Sequence, residues 1–178
     1  MKQLQDIFEN SLTEFFENEF QGILDGVSER NSCGRLAIYM QAAVAASGLR
    51  GYWADTEYNR KQGGQVKTIL DHEMRVIDIT SDLILHGRGA VVGEDNLIAI
   101  EMKKAQAPHR EKDADRARLR AMTKVSYDGV WSNDGTTHPE HVCGYKLGVY
   151  IELNNRTRRA RVEYYMSGEK TVSSLRRY

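Results

Sequence analysis

A chain of 178 residues that is 40% apolar has the size of one domain and can build a core, which excludes membrane-embedded and disordered classes. Its 25 Lys and Arg balance 25 Asp and Glu, so no bulk positive field announces a nucleic-acid partner, and any such contact must come from local patches. Cys33 and Cys143 lie far apart without a CxxC pair, which excludes a zinc ribbon and a disulfide-stapled secreted scaffold.

The opening segment, MKQLQDIFENSLTEFFENEF, carries five acidic residues by position 20 and no apolar run followed by small residues, so it does not read as a signal peptide. No stretch reaches the ~20 apolar residues that span a bilayer, and the expected setting is a reducing cytoplasm with no membrane partner. Leu4, Ile7, Phe8, Leu12, Phe15, Phe16, Phe20, Ile23 and Leu24 fall at mostly helical spacing, which predicts one amphipathic helix or two over residues 1–25, an N-terminal extension to a single domain spanning 1–178. Its phenylalanines suit a core or a homodimer contact. Gly26 and Ser28 interrupt, and a second helix is expected from Glu29 to Ser47, with Leu36, Tyr39, Met40 and Ala43 on its apolar face.

After Gly48, the segments GYWADTEYNR, VIDITSDLILH and NLIAIEMKKA are short, rich in β-branched and aromatic residues and separated by glycine-containing turns, which predicts three strands. Residues 112–123 hold helix formers, and their sparse apolar content implies a helix on the surface. Residues 124–144 form a polar loop of unusual length. YKLGVYIEL and ARVEYYM then alternate around the turn-like NNRTR, which reads as a hairpin.

Strand alternation concentrates chemistry in one place. Ile77, Ile79, Ser81, Leu83 and Leu85 share one face while Asp78, Thr80 and Asp82 share the other; in the next strand Ile98, Ile100 and Met102 oppose Ala99, Glu101 and Lys103. The connection HGRGAVVGEDN is short enough for an antiparallel pair, which would set Asp82 beside Glu101. Two adjacent carboxylates repel unless a proton or cation sits between them, and Mg²⁺ or Mn²⁺ suits carboxylate, water and substrate phosphate together. Lys103 could orient or deprotonate a metal-bound water, or stabilise charge developing on a phosphate.

The pieces SD, a hairpin loop and IAIEMKK resemble the (P)D…(D/E)xK signature of the PD-(D/E)XK nuclease superfamily, and the order helix, three strands, helix, strand matches that family over roughly residues 28–153. SERNSCGRLAIYM and DTEYNR are similar to segments that precede the signature in some small bacterial and phage members. The resemblance implies an α/β fold with a restriction-endonuclease-like α/β/α core, a central mixed sheet of about five strands flanked by helices, and Mg²⁺- or Mn²⁺-dependent hydrolysis of nucleic acid, DNA rather than RNA. It further implies that Asp82, Glu101 and the Met102 carbonyl ligate the metal, that Lys103 acts on the water, and that Glu29 completes the metal shell. Ser81 stands where the name-giving proline would be. A nuclease-fold module that binds nucleic acid or protein without catalysis is the alternative.

Other residues carry two readings each. Arg116 and Arg120, with Arg118, Arg110 and Lys112 nearby, could meet backbone phosphates or pair with Glu111, Asp113 and Asp115 as a solvated helix face. Arg156, Arg158, Arg159 and Arg161 make a dense basic hairpin tip suited to phosphate contact. Glu57 could approach the metal or pair with Arg60 or Arg75, while Tyr58 and Asn59 read as packing and turn residues. His138, His141 and Cys143 could contribute to a zinc site but lack a nearby fourth ligand; His72 and His86 could move protons or serve structurally.

Overall fold

The structure, a computed structural model, describes residues 1–58, 80–91, 93–124 and 143–178, and the backbone of 68–70 and 76–78. Asn59, Arg60, His72, Arg75, His138, His141 and most of the 124–144 segment lie outside the described residues.

The N-terminal apolar stripe forms one helix, α1 (Lys2–Asp25), which buries Leu4, Ile7, Phe8, Leu12, Phe15, Phe16 and Ile23. It ends because Gly26 takes a left-handed conformation (φ 77°) and donates its N–H to the Ile23 carbonyl at 3.1 Å. Two residues later the Ser28 hydroxyl accepts the Asn31 N–H at 3.1 Å and opens α2 (Glu29–Ser47), with Glu29 in its first turn where a negative charge suits the helix dipole. These are the bounds that Gly26, Ser28 and Gly48 predict. Rather than standing apart as an extension, α1 shares one apolar core with α2 and the sheet.

Six strands form a mixed sheet in the order β1-β4-β5-β6-β7-β8: β1 (Trp53–Thr56), β4 (Leu83–His86), β5 (Asn96–Lys104), β6 (Leu147–Asn154), β7 (Arg159–Met166) and β8 (Glu169–Arg177). Only β5 and β6 run parallel, joined through α3 (His109–Thr123). The fold is therefore α/β with three helices and one strand more than patterning predicts. β8 escapes sequence reading because it is an edge strand, exposed on nearly every residue, so no burial period marks it.

Two further expectations are corrected. VIDITSDLILH is not one strand: β3 (Val76–Asp78) pairs with β2 (Thr68–Leu70) in a separate two-stranded sheet, and β4 starts only at Leu83. The break falls where the Asp82 side chain takes the Met102 N–H at 2.8 Å in place of a backbone partner. GYWADTEYNR likewise pairs only over Trp53–Thr56, since Glu57 turns out of the sheet at φ 53°.

α3 begins three residues earlier than predicted, and it is not a surface helix. It buries Lys112, Asp115, Leu119, Met122 and Thr123 against the sheet face opposite α1 and α2. Leu83, Leu85, Ile98, Ile100 and Met102 pack toward α1 and α2, while Ile84 and Ala99 pack toward α3, as alternation requires. The close approach of α3 depends on Gly148: a Cβ there would sit 3.0 Å from Thr123 Cγ2 and 3.2 Å from Tyr165 Cβ. The face of β5 that carries Glu101 is consequently covered, and the strand is buried from Asn96 through Met102.

Candidate active site

The antiparallel β4–β5 ladder ends at Leu83 opposite Ile100, so Asp82 is the next residue outward and Glu101 its neighbour on the adjoining strand. Glu101 and Lys103 point to the α3 side. Glu29 arrives from the start of α2, with Oε2 3.3 Å from Lys103 Nζ and Oε1 accepting the Lys104 N–H at 2.8 Å. Asp82, Glu101, Lys103 and Glu29 thus gather at one end of the central strands, as the sequence predicts.

Two residues that sequence reading did not place in the site complete it, both from α3. Arg118 grips Glu101 with two hydrogen bonds, Nε to Oε1 and Nη2 to Oε2, each 3.1 Å. Its Nη2 also donates to Asp115 Oδ1. The other Asp115 oxygen, Oδ2, is buried with no hydrogen bond and faces Lys103 Nζ at 3.4 Å. The available signal was helical: Asp115, Arg118, Leu119 and Met122 lie at i, i+3, i+4 and i+7, so a charged pair shares the apolar face of α3 and must point into the protein.

Electrostatics follow from burial. Glu101 is fully buried, and desolvation together with the Asp82 charge pushes its carboxyl up to about 8, against the opposing pull of Arg118. Burial and Asp82 also raise Asp115, with Arg118 and Lys103 opposing. For Lys103, burial favours the neutral amine, but Asp115, Asp82 and Glu29 outweigh it and hold the group above its ordinary value. Lys103 is therefore a firm ammonium, suited to stabilising a developing phosphate charge rather than removing a proton from water. Cys33 lies beneath this cluster, its thiol raised by burial and by Asp82, Glu101 and Glu29.

The donor set is hard and oxygen-rich, as Mg²⁺ or Mn²⁺ requires. The arrangement is another matter: among the described residues no three His, Cys, Asp or Glu side chains converge to seat a cation. Asp82 Oδ2 is committed to the Met102 N–H, and both Glu101 oxygens to Arg118. In this state the residues do not fit a metal, and the positive charge at the centre comes from Arg118 and Lys103.

No family model, curated protein or solved structure matches the chain.

The remaining candidates fall outside this cluster. Glu57 is exposed and pairs with Arg30 at 2.8 Å, although its backbone N–H reaches the Asp82 carbonyl at 3.4 Å. Arg116 pairs with Glu163 at 2.9 Å and Asp113 at 3.3 Å, with its guanidinium over the Tyr150 ring. Arg120 pairs with Glu169 at 3.1 Å and lies over Tyr165. Arg156, Arg158 and Arg159 stand exposed at the β6–β7 turn, with Arg158 over Phe20 and Arg159 directly across the ladder from Arg177. His86 is buried and meets Asp55 Oδ2 at 3.0 Å, a structural contact shared with Arg88, which holds Asp55 from the other side at 2.6 Å. Among the described residues no helix is long and apolar enough to cross a membrane.

Proposed function

We propose that the chain is a PD-(D/E)XK-type nuclease that hydrolyses phosphodiester bonds of nucleic acid, DNA in preference to RNA, with Mg²⁺ or Mn²⁺. The observation that carries this reading is the meeting of Asp82, Glu101, Lys103 and Glu29, from three separate elements, on a partly buried face. The metal, when bound, would lower the pKa of the attacking water and neutralise charge developing on the phosphate. Asp82 and Glu101, with the Met102 carbonyl, are the groups to hold it. Lys103, kept charged by Asp115, Asp82 and Glu29, is placed to stabilise the pentavalent phosphate. Glu29 positions Lys103 and the β5 end by bonding both the ammonium and the Lys104 N–H. The exposed arginines at 156, 158 and 159 supply phosphate contacts away from the chemistry. The two free, buried cysteines suit a reducing cytoplasm.

Plasmid, linear and single-stranded DNA incubated with Mg²⁺ or Mn²⁺ test the proposal: wild type should cut at least one of them, and Lys103→Ala should reduce cleavage by a factor on the order of 10² or more. Equal cutting by the mutant, or none by wild type, rules it out. One observation favours a second reading, a nuclease-fold module without catalysis. Arg118 closes on Glu101 with both donors and leaves it no free oxygen.

A further inference from the structure

We infer that Arg118 is a tethered counter-cation that occupies the seat of the divalent metal at Glu101, so that metal and guanidinium exclude one another. The inference rests on the nuclease reading above and resolves its one misfit, the absence of a free carboxylate oxygen where the cation belongs. Arg118 uses both of its inward donors on Glu101 and shares one with Asp115, a geometry in which the guanidinium bridges the carboxylates as a cation would.

Three observations carry it. Glu29, Asp82, Glu101 and Asp115 place four carboxyl groups around only two cationic side chains, Lys103 and Arg118, so a surplus of two negative charges remains when all are ionised. That surplus matches a divalent cation and is not what a self-contained structural ion network needs. Asp115 contributes a buried oxygen, Oδ2, on a side chain only 3% exposed and without a hydrogen bond, aimed at Lys103 and available to a newcomer. Arg118 itself has a way out: its side chain is 29% exposed, whereas Glu101 is 0% exposed, so the arginine can leave toward solvent while the carboxylate cannot. A displaced Arg118 would remain on α3 within reach of the site, as a donor for the substrate phosphate.

The test is Mn²⁺ affinity, read by calorimetry and by the thermal shift that Mn²⁺ produces, in wild type, Arg118→Met and Arg118→Lys at pH 8.5, where protons no longer compete for Glu101. Removing the competitor should tighten Mn²⁺ binding about tenfold or more in Arg118→Met. Arg118→Lys, which keeps the charge but cannot grip both oxygens and is the safer variant for folding, should fall between the two. At equal Mn²⁺ concentration the variants should also gain more in melting temperature than wild type, because stabilisation follows the ratio of ligand to Kd. Unchanged or weaker Mn²⁺ binding in both variants overturns the inference and leaves the nuclease reading standing if wild type still binds the metal. Absence of Mn²⁺ binding in all three overturns both.

Discussion

Replacing Glu101 by Gln should make the protein more stable while removing its proposed activity. Glu101 is pushed from an ordinary 4.5 up to about 8 by burial and by Asp82. At pH 7 the unfolded carboxyl is ionised, whereas the folded one must hold a proton or bear an unfavourable charge. The gap between 4.5 and pH 7, at about 1.4 kcal/mol per pH unit, sets a cost of about 3 kcal/mol relative to a side chain that is always neutral. Glutamine avoids that cost but turns an amide NH₂ toward Arg118, losing one of two hydrogen bonds, about 1 kcal/mol. The net gain is about 2 kcal/mol, or a rise in melting temperature of about 4–8 °C for a chain of this size. Because the folded-state value lies above the unfolded one, the stability of wild type is fully present below about 4.5 and is lost as pH rises toward 8. Thermal and urea melts of both proteins in EDTA from pH 5 to 8.5 should show the gap widening with pH and levelling above about 8. A variant that is less stable than wild type at pH 7, or a gap that is flat across this range, refutes the reasoning.

Gly148→Val should lower stability by about 1–3 kcal/mol in urea melts, because its side chain would drive into Thr123, Leu119 and Tyr165 and lift α3 from β6. Asp55 is held below its ordinary value by Arg88, with burial opposing and His86 assisting, so the stability it contributes is present above about 3.8 and lost as pH falls further. Asp55→Asn should therefore unfold at a higher pH than wild type in an acid titration followed by circular dichroism, and an unchanged midpoint would argue against this. Alanine at Arg156, Arg158 and Arg159 together should flatten the salt dependence of DNA binding by about 0.9 for each phosphate no longer neutralised, measured by fluorescence anisotropy without divalent metal. Arg116→Ala should mainly destabilise the fold, because Glu163 would be left buried without its guanidinium partner.

What was legible in the sequence was what neighbouring residues decide. Gly26, Ser28 and Gly48 fix the ends of α1 and α2 by local backbone chemistry, and the alternation of NLIAIEMKK fixes which side chains of β5 share a face. The juxtaposition of Asp82 and Glu101 followed, because an antiparallel pair joined by a short loop leaves little freedom of register. What stayed hidden depends on distant packing. α3 reads as a solvated helix because its buried face mixes Leu119 and Met122 with Lys112, Asp115 and Arg118, and only the parallel crossover from β5 to β6 turns those charges inward. Local rules could not reveal that a charged stripe was the buried one.

The inward-facing charges separate a functional cluster from a stabilising one. A buried ion network retained for stability gains little, since well-packed apolar residues in its place are often neutral or better. Such a network at least closes on itself, as Arg116 does with Glu163, whose carboxyl stays below its ordinary value despite burial because Tyr165 and Arg116 both bond it. Around Glu101 the balance fails: the carboxyl is driven up even with a bidentate arginine on it, Asp115 keeps a buried oxygen without a hydrogen bond, and Lys103 is pinned as a cation by three acids. Two neighbouring clusters on one sheet face, built from the same residue types, thus behave oppositely. The one that remains unsatisfied is the one that asks for an additional positive charge from outside the chain.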